Sequence, residues 1–278
     1  MLSDRATDAL EGHFRADLMQ ELRFLSDQID LERLAEAIAA GDLSAAEREA
    51  GVDSNGWALS AFAAFIGPIV RDIFEEAARD AADEIGIDYD LMDEDATLAQ
   101  RDLQREMILV MGARARETVL GVTMRGARAG LSAVMIAGMI KGGLWIADRN
   151  AAAIDAMVAR MRSEGLKERL VLTARARAIL RALRIRARAI AASETTRILA
   201  RASRYMWRLG IKLGALDPNV AEVEWETERD NRVCPVCEPL DGDVLTLREY
   251  LDSGFDAGEP PLHVLCRCRL RLWRNGKR

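Results

Sequence analysis

The chain has 278 residues, half of them apolar and only 5% aromatic, so it is long and apolar enough to bury a sizeable core. Alanine, leucine and arginine abound, a balance that favours helices. The net charge of −6 argues against a surface given over as a whole to nucleic acid.

The charge is unevenly spread, at about −17 over residues 1–110, about +14 over 111–221 and about −3 over 222–278. These shifts set the expected regions: an acidic helical N-terminal part (1–110), a basic helical part (111–221) and a C-terminal module (222–278). The first twenty residues, MLSDRATDALEGHFRADLMQ, place acids where a signal peptide needs a basic start and an apolar run. A disulfide framework, which needs an oxidising compartment, is therefore not the expected use of the cysteines.

Residues 10–40 read as one or two amphipathic helices, with Leu18, Leu22, Leu25, Ile29 and Leu34 at helical steps and a stop at Gly41-Asp42. Ser54-Asn55-Gly56 offers a cap for a helix over 57–85, whose apolar side carries Phe62, Phe65, Ile66, Ile69 and Ile73. Gly67-Pro68 is expected to kink or divide it. The acidic patch 88–95 suits a loop or a helix start. Glu75 and Glu76 read as a solvated face and His13 as an exposed helix residue. Nothing in this half resembles a catalytic constellation.

Residues 130–147, GLSAVMIAGMIKGGLWIA, form the most apolar stretch. A spanning helix needs about 20 strongly apolar residues. This run is short, rich in glycine and carries Lys141, so it reads as two buried helices broken at Gly142-Gly143, without membrane insertion. Residues 151–213 are clearly helical. Ile154, Met157, Val158 and Met161 form one stripe ended by Gly165, and Leu172, Ala176, Ile179, Leu183, Ala187 and Ile190 form another. Ile198, Leu199, Ala202, Tyr205, Met206 and Leu209 continue it after a break near Ser193. Arg177, Arg181, Arg184 and Arg188 fall on a separate face. Guanidinium groups bind phosphate oxygens with two donors at once, so this face is a candidate contact for DNA; an acidic protein surface is the competing occupant.

All four cysteines lie in the last fifty residues. Cys234-Pro235-Val236-Cys237 and His263-Val264-Leu265-Cys266-Arg267-Cys268 make a C-x2-C followed by an H-x2-C-x-C. Zinc takes four such ligands in a tetrahedron, and two residues of one tight turn reach adjacent corners without strain. Five candidates compete for four places: Cys234, Cys237, His263 and Cys266, with Cys268 as an alternative to His263. A closed shell makes the expected zinc structural rather than catalytic. Strands are expected at 223–227, 244–247 and 266–273, with a turn at Leu240-Asp241-Gly242-Asp243 and a stiff approach through Pro260-Pro261. Glu224, Glu226 and Glu228 alternate along the first strand and read as a solvent-facing row. The expected fold is mainly α: an elongated helical body with a small C-terminal zinc-stabilised α+β module.

The string from Trp225 through Val233-Cys234-Pro235-Val236-Cys237-Glu238-Pro239-Leu240-Asp241-Gly242, closed by Pro260-Pro261-Leu262-His263 and Cys266-Arg267-Cys268, resembles the C-terminal signature of the phage Mu F-like minor head proteins. Gly130-Leu131-Ser132, Glu164-Gly165-Leu166 and the run from Arg186 to Arg197 are similar in order to the helical part of that family. Ala192-Ser193-Glu194 replaces the usual Arg-Thr-Glu, and Val264-Leu265 replaces the usual Pro-Asn. The resemblance implies a non-catalytic head morphogenesis protein of tailed phages. It would be found in the virion head, and in the host cytoplasm during assembly. Its partners would be portal or capsid proteins, with phage DNA as a further contact and no small-molecule substrate.

Overall fold

In the computed structural model, residues 4–89, 94–146, 148–228 and 233–274 are described. The acidic patch and the apolar run thus fall partly outside them, at 90–93 and Ala147, as do residues 229–232 of the cysteine-rich string. Nine α-helices and one three-stranded sheet occur among the described residues.

The helix boundaries follow from local chemistry. After α1 (Asp4–Asp27), the Asp30 carboxylate accepts the N–H groups of Glu32 and Arg33 at 2.9 and 3.2 Å and starts α2 (Leu31–Ala39). Gly41, at φ 70°, turns the chain, and Asp42 caps α3 (Leu43–Glu49) by accepting from the Ala45 N–H at 2.8 Å. Gly51 is needed where it stands, because a Cβ there would lie 2.5 Å from the Trp57 ring. Helix α4 (Trp57–Ile85) follows and runs undivided through Pro68. The backbone hydrogen bond that proline removes is offset by the burial of Ile66, Val70, Ile73 and Phe74 along one stripe. Among the described residues α4 is also the one helix long and apolar enough to cross a membrane.

Helix α5 (Glu94–Arg128) starts on two acids that suit its N-terminus. The apolar stretch gives a single helix, α6 (Ala133–Gly143), capped by Ser132. Gly142 and Gly143 end this helix and do not split a pair. Helix α7 (Asp148–Ser163) ends at Gly165, φ 73°. Helix α8 (Glu168–Lys212) continues for 45 residues with no break at Ser193. Its apolar stripe begins later than the spacing suggests: Leu172 and Ala176 are exposed, whereas Leu183, Ala187 and Ile190 are buried.

The chain divides into two compact units. In the unit formed by Ala16–Ile66 and Arg105–Ala187, α2 packs on α3 and α6, and Leu18, Leu22, Leu25, Ile29 and Leu34 are all buried. Lys141 donates to the Asp27 and Ile29 carbonyls at 3.1 and 2.7 Å, placing a cation where the helix dipole of α1 is negative. Arg175 donates to the Gly138 carbonyl at 2.9 Å.

The other unit comprises Met1–Arg15, Gly67–Gln104 and Arg188–Arg278. It holds β1 (Glu222–Glu226), β2 (Val244–Thr246), α9 (Leu247–Ser253) and β3 (Arg269–Trp273). The sheet is antiparallel in the order β2-β1-β3, with Val223 opposite both Leu245 and Leu272. The second strand stops at Thr246, one residue short of expectation, because Thr246 also caps α9 in a reciprocal capping box with Glu249 and so turns Leu247 into the helix. The third begins only at Arg269, so Cys266 and Cys268 precede it. Three short strands are marginal alone. Here their core is completed by Trp207 of α8 and Ile85 of α4, with Trp207 edge-on to Tyr250 at 5.8 Å and Trp225 edge-on to Phe255 at 5.5 Å.

Candidate metal centre

Two turns bring the cysteines and the histidine together. In the first, the N–H groups of Cys237 and Glu238 both donate to the Cys234 carbonyl at 3.0 Å, which folds the two thiols towards one point. In the second, the Cys266 N–H donates to the His263 carbonyl at 3.1 Å. Leu265 takes a left-handed conformation there, φ 63°, unusual for a residue other than glycine or asparagine.

Nε2 of His263 lies 2.8 Å from Sγ of Cys234 and 3.0 Å from Sγ of Cys237, and Cys237 Sγ lies 3.9 Å from Cys266 Sγ. The edges of a tetrahedral zinc site are about 3.8 Å between sulfurs and about 3.6 Å from sulfur to nitrogen. The sulfur spacing fits as it stands; the two histidine contacts need to open by less than an ångström. Two triads of donors result, Cys234–Cys237–His263 and Cys237–Cys266–Cys268, with the buried Cys237 common to both. A void of about 20 Å³ bordered by Cys234, Cys237, His263 and Cys268 is large enough for one ion. This Cys/His cluster can hold a metal.

The histidine is oriented for the purpose. Its Nδ1 lies 2.9 Å from the Val264 carbonyl, a pairing that places the ring proton on Nδ1 and leaves the Nε2 lone pair facing the sulfurs. The sulfurs themselves compete for protons. A hydrogen bond from the Cys268 thiol draws Cys266 down to about 5, and the same contact pushes Cys268 upward. Burial raises Cys237 to about 12. Three thiolates in one buried spot repel one another, and a divalent cation supplies the charge that lets them ionise together.

Helix α8 holds the second turn, a role that the spacing of the donors does not reveal. Thr196 donates its hydroxyl to the Cys266 carbonyl at 3.1 Å, and Ser193 accepts the Leu265 N–H at 3.1 Å. Ser193 and Thr196 belong to the run whose order resembles the family, the only signal that could have marked them. Lower on the same helix, Arg204 pairs with Glu259, which also accepts the Tyr250 hydroxyl at 3.0 Å.

The strand glutamates differ from the expected solvent-facing row. Glu224 is buried and accepts the Trp273 indole N–H at 2.7 Å; Glu226 pairs with Arg269 at 2.8 Å. Carboxylates with little access to water keep hydrogen-bonding or ionic partners, here an indole N–H for Glu224 and a guanidinium for Glu226. Arg177, Arg181, Arg184 and Arg188 are exposed on α8, and none makes an ion pair among the described residues. Arg188 belongs to the unit that carries the metal cluster and lines a cavity with Cys266 and Cys268.

The stretch from α7 through β3, residues 151–271, matches the family described as Phage Mu protein F like protein. No curated protein and no solved structure matches the chain.

Proposed function

We propose that the chain is a non-catalytic minor head protein that takes part in phage head morphogenesis by docking on portal or capsid components. The observation that carries this reading is that the family match, residues 151–271, contains the whole Cys/His cluster together with the helix that steadies it. In this reading a structural zinc is held by four of Cys234, Cys237, His263, Cys266 and Cys268. It fixes the C-terminal module as a rigid knob and supplies no open coordination position for chemistry. The Arg177, Arg181, Arg184 and Arg188 face contacts phage DNA or an acidic partner, and the protein ends up in the virion head.

The test is made on the phage that encodes the chain. Purified particles are expected to contain it by mass spectrometry, and deleting its gene is expected to abolish infectious particles while leaving lysis intact. Particles that lack the chain, with normal yields after deletion, contradict the reading.

A further inference from the structure

Helix α5 carries apolar side chains on two opposite sides. Met107, Met111 and Val119 are buried in the compact unit that holds Arg105–Ala187. Leu109, Ala113, Leu120 and Met124 fall on a second line, at steps of four, seven and four, and that line faces outward. Leu109 is 59% exposed, Leu120 43% and Met124 45%, with Val110 beside them at 40%. Scattered exposed apolar residues are ordinary, but a continuous row of them along about 22 Å of helix marks an interaction face. A helix that is apolar on both sides is made to have neighbours on both.

The charges beside this row are arranged to meet their own copy. Arg114 and Glu117 stand on one edge of it, both exposed, and neither makes an ion pair among the described residues. Within one helix, basic before acidic is the less favourable order for such a pair. Between two antiparallel copies of α5 the same spacing becomes complementary. A two-fold axis passing near residues 115 and 116 sets Glu117 of each copy beside Arg114 of the other, and it lays Val110 against Leu120. Ala113, close to that axis, is small enough to let the helices approach. A parallel pair would instead bring the Arg114 edge onto the opposite edge, where Arg105 and Arg116 stand, and like charges would repel.

We propose that this face of α5 pairs with α5 of a second copy of the chain, antiparallel, to make a reversible dimer. The contact is a single pair of helices, smaller than the interfaces of permanent dimers, so it forms and opens with concentration. It needs no other phage component, and its test is separate from that of the head assignment.

Sedimentation equilibrium of the zinc-loaded full chain, from about 1 to about 200 μM, reads the monomer–dimer equilibrium. Leu120→Lys is expected to weaken pairing about a hundredfold, because the two-fold axis counts the change twice. Arg114→Glu and Glu117→Arg are each expected to weaken it about tenfold by setting like charges together. The double variant Arg114→Glu/Glu117→Arg exchanges the signs and is expected to return to within about threefold of the parent, a recovery that damage to the fold does not produce. Leu213→Lys, at a position 60% exposed outside α5, is expected to pair as the parent does. Circular dichroism checks that each variant is folded; the two charge variants, both at exposed positions, carry the test if Leu120→Lys is not. A parent chain that stays monomeric at the highest concentration overturns the inference. So does a double variant no stronger than its single variants, or a folded Leu120→Lys that pairs normally. Equal losses in Leu120→Lys and Leu213→Lys also overturn it, since they mean unspecific apolar association.

Discussion

The Thr196 hydroxyl donates to the carbonyl of Cys266 at 3.1 Å, joining the middle of α8 to the second metal turn across 70 residues of sequence. Removing an outer partner of a metal ligand generally lowers metal affinity 10- to 100-fold. Thr196→Val is therefore expected to weaken zinc binding by about tenfold in a chelator competition, with unchanged helical circular dichroism. Unchanged affinity would mean that α8 merely touches the turn.

Metal removal should act locally. A chelator, or Cys234→Ser, is expected to unfold the sheet and α9 while most of the helical signal survives, because α1 to α7 contribute no donors to the cluster. Circular dichroism at 222 nm and tryptophan emission separate the two: Trp225 is buried in the module core and should shift to the red. Wholesale helix loss contradicts this division.

Glu259 accepts from Tyr250 and pairs with Arg204, joining α9 to α8. Glu259→Ala strips both partners at once and should cost about 2–3 kcal/mol in urea unfolding, whereas Tyr250→Phe should cost about 1–2 kcal/mol. The double variant is expected to lose less than the sum, since the two share one carboxylate.

Burial raises the pKa of Glu11 in the folded chain. A carboxyl so shifted binds its proton more tightly when folded, so its contribution is present below the unfolded pKa and is lost as pH rises through the folded one. Glu11→Gln should therefore be more stable than the parent at pH 7 and equal to it near pH 4. Melting temperatures at the two pH values check the sign.

Leu265 is 43% exposed and left-handed. That conformation costs an L-residue about 1–2 kcal/mol, and asparagine tolerates it better. Leu265→Asn should stabilise the module by about 1 kcal/mol, read as a higher thermal midpoint for tryptophan emission. A lower midpoint would show that the leucine side chain contributes packing that outweighs the backbone cost.

The helices and the gathering of the cysteines with His263 were legible because both are written locally: 3.6-residue spacing marks Leu18, Leu22 and Leu25, and short spacing marks Cys234 with Cys237. The misread features depend on distant partners. Pro68 and Ser193 look like breaks, but the first lies on the exposed side of a helix held by its buried Ile66, Val70, Ile73 and Phe74, and the second spends its hydroxyl on the Leu265 N–H. Glu224 looks solvent-facing until Trp273, 49 residues away, reaches it with the indole N–H. Leu172 belongs to a helical stripe, yet that end of α8 leaves it exposed.

Cys237 stands in both donor triads, so the cluster has one fixed corner and interchangeable company. Ions differ in the donors they prefer, with soft cations favouring sulfur and zinc accepting imidazole equally well. A soft metal such as cadmium would recruit Cys268 and release His263, whereas zinc would retain the ring. The loop carrying His263 would then report the identity of the ion, held against the cluster by zinc and released by cadmium.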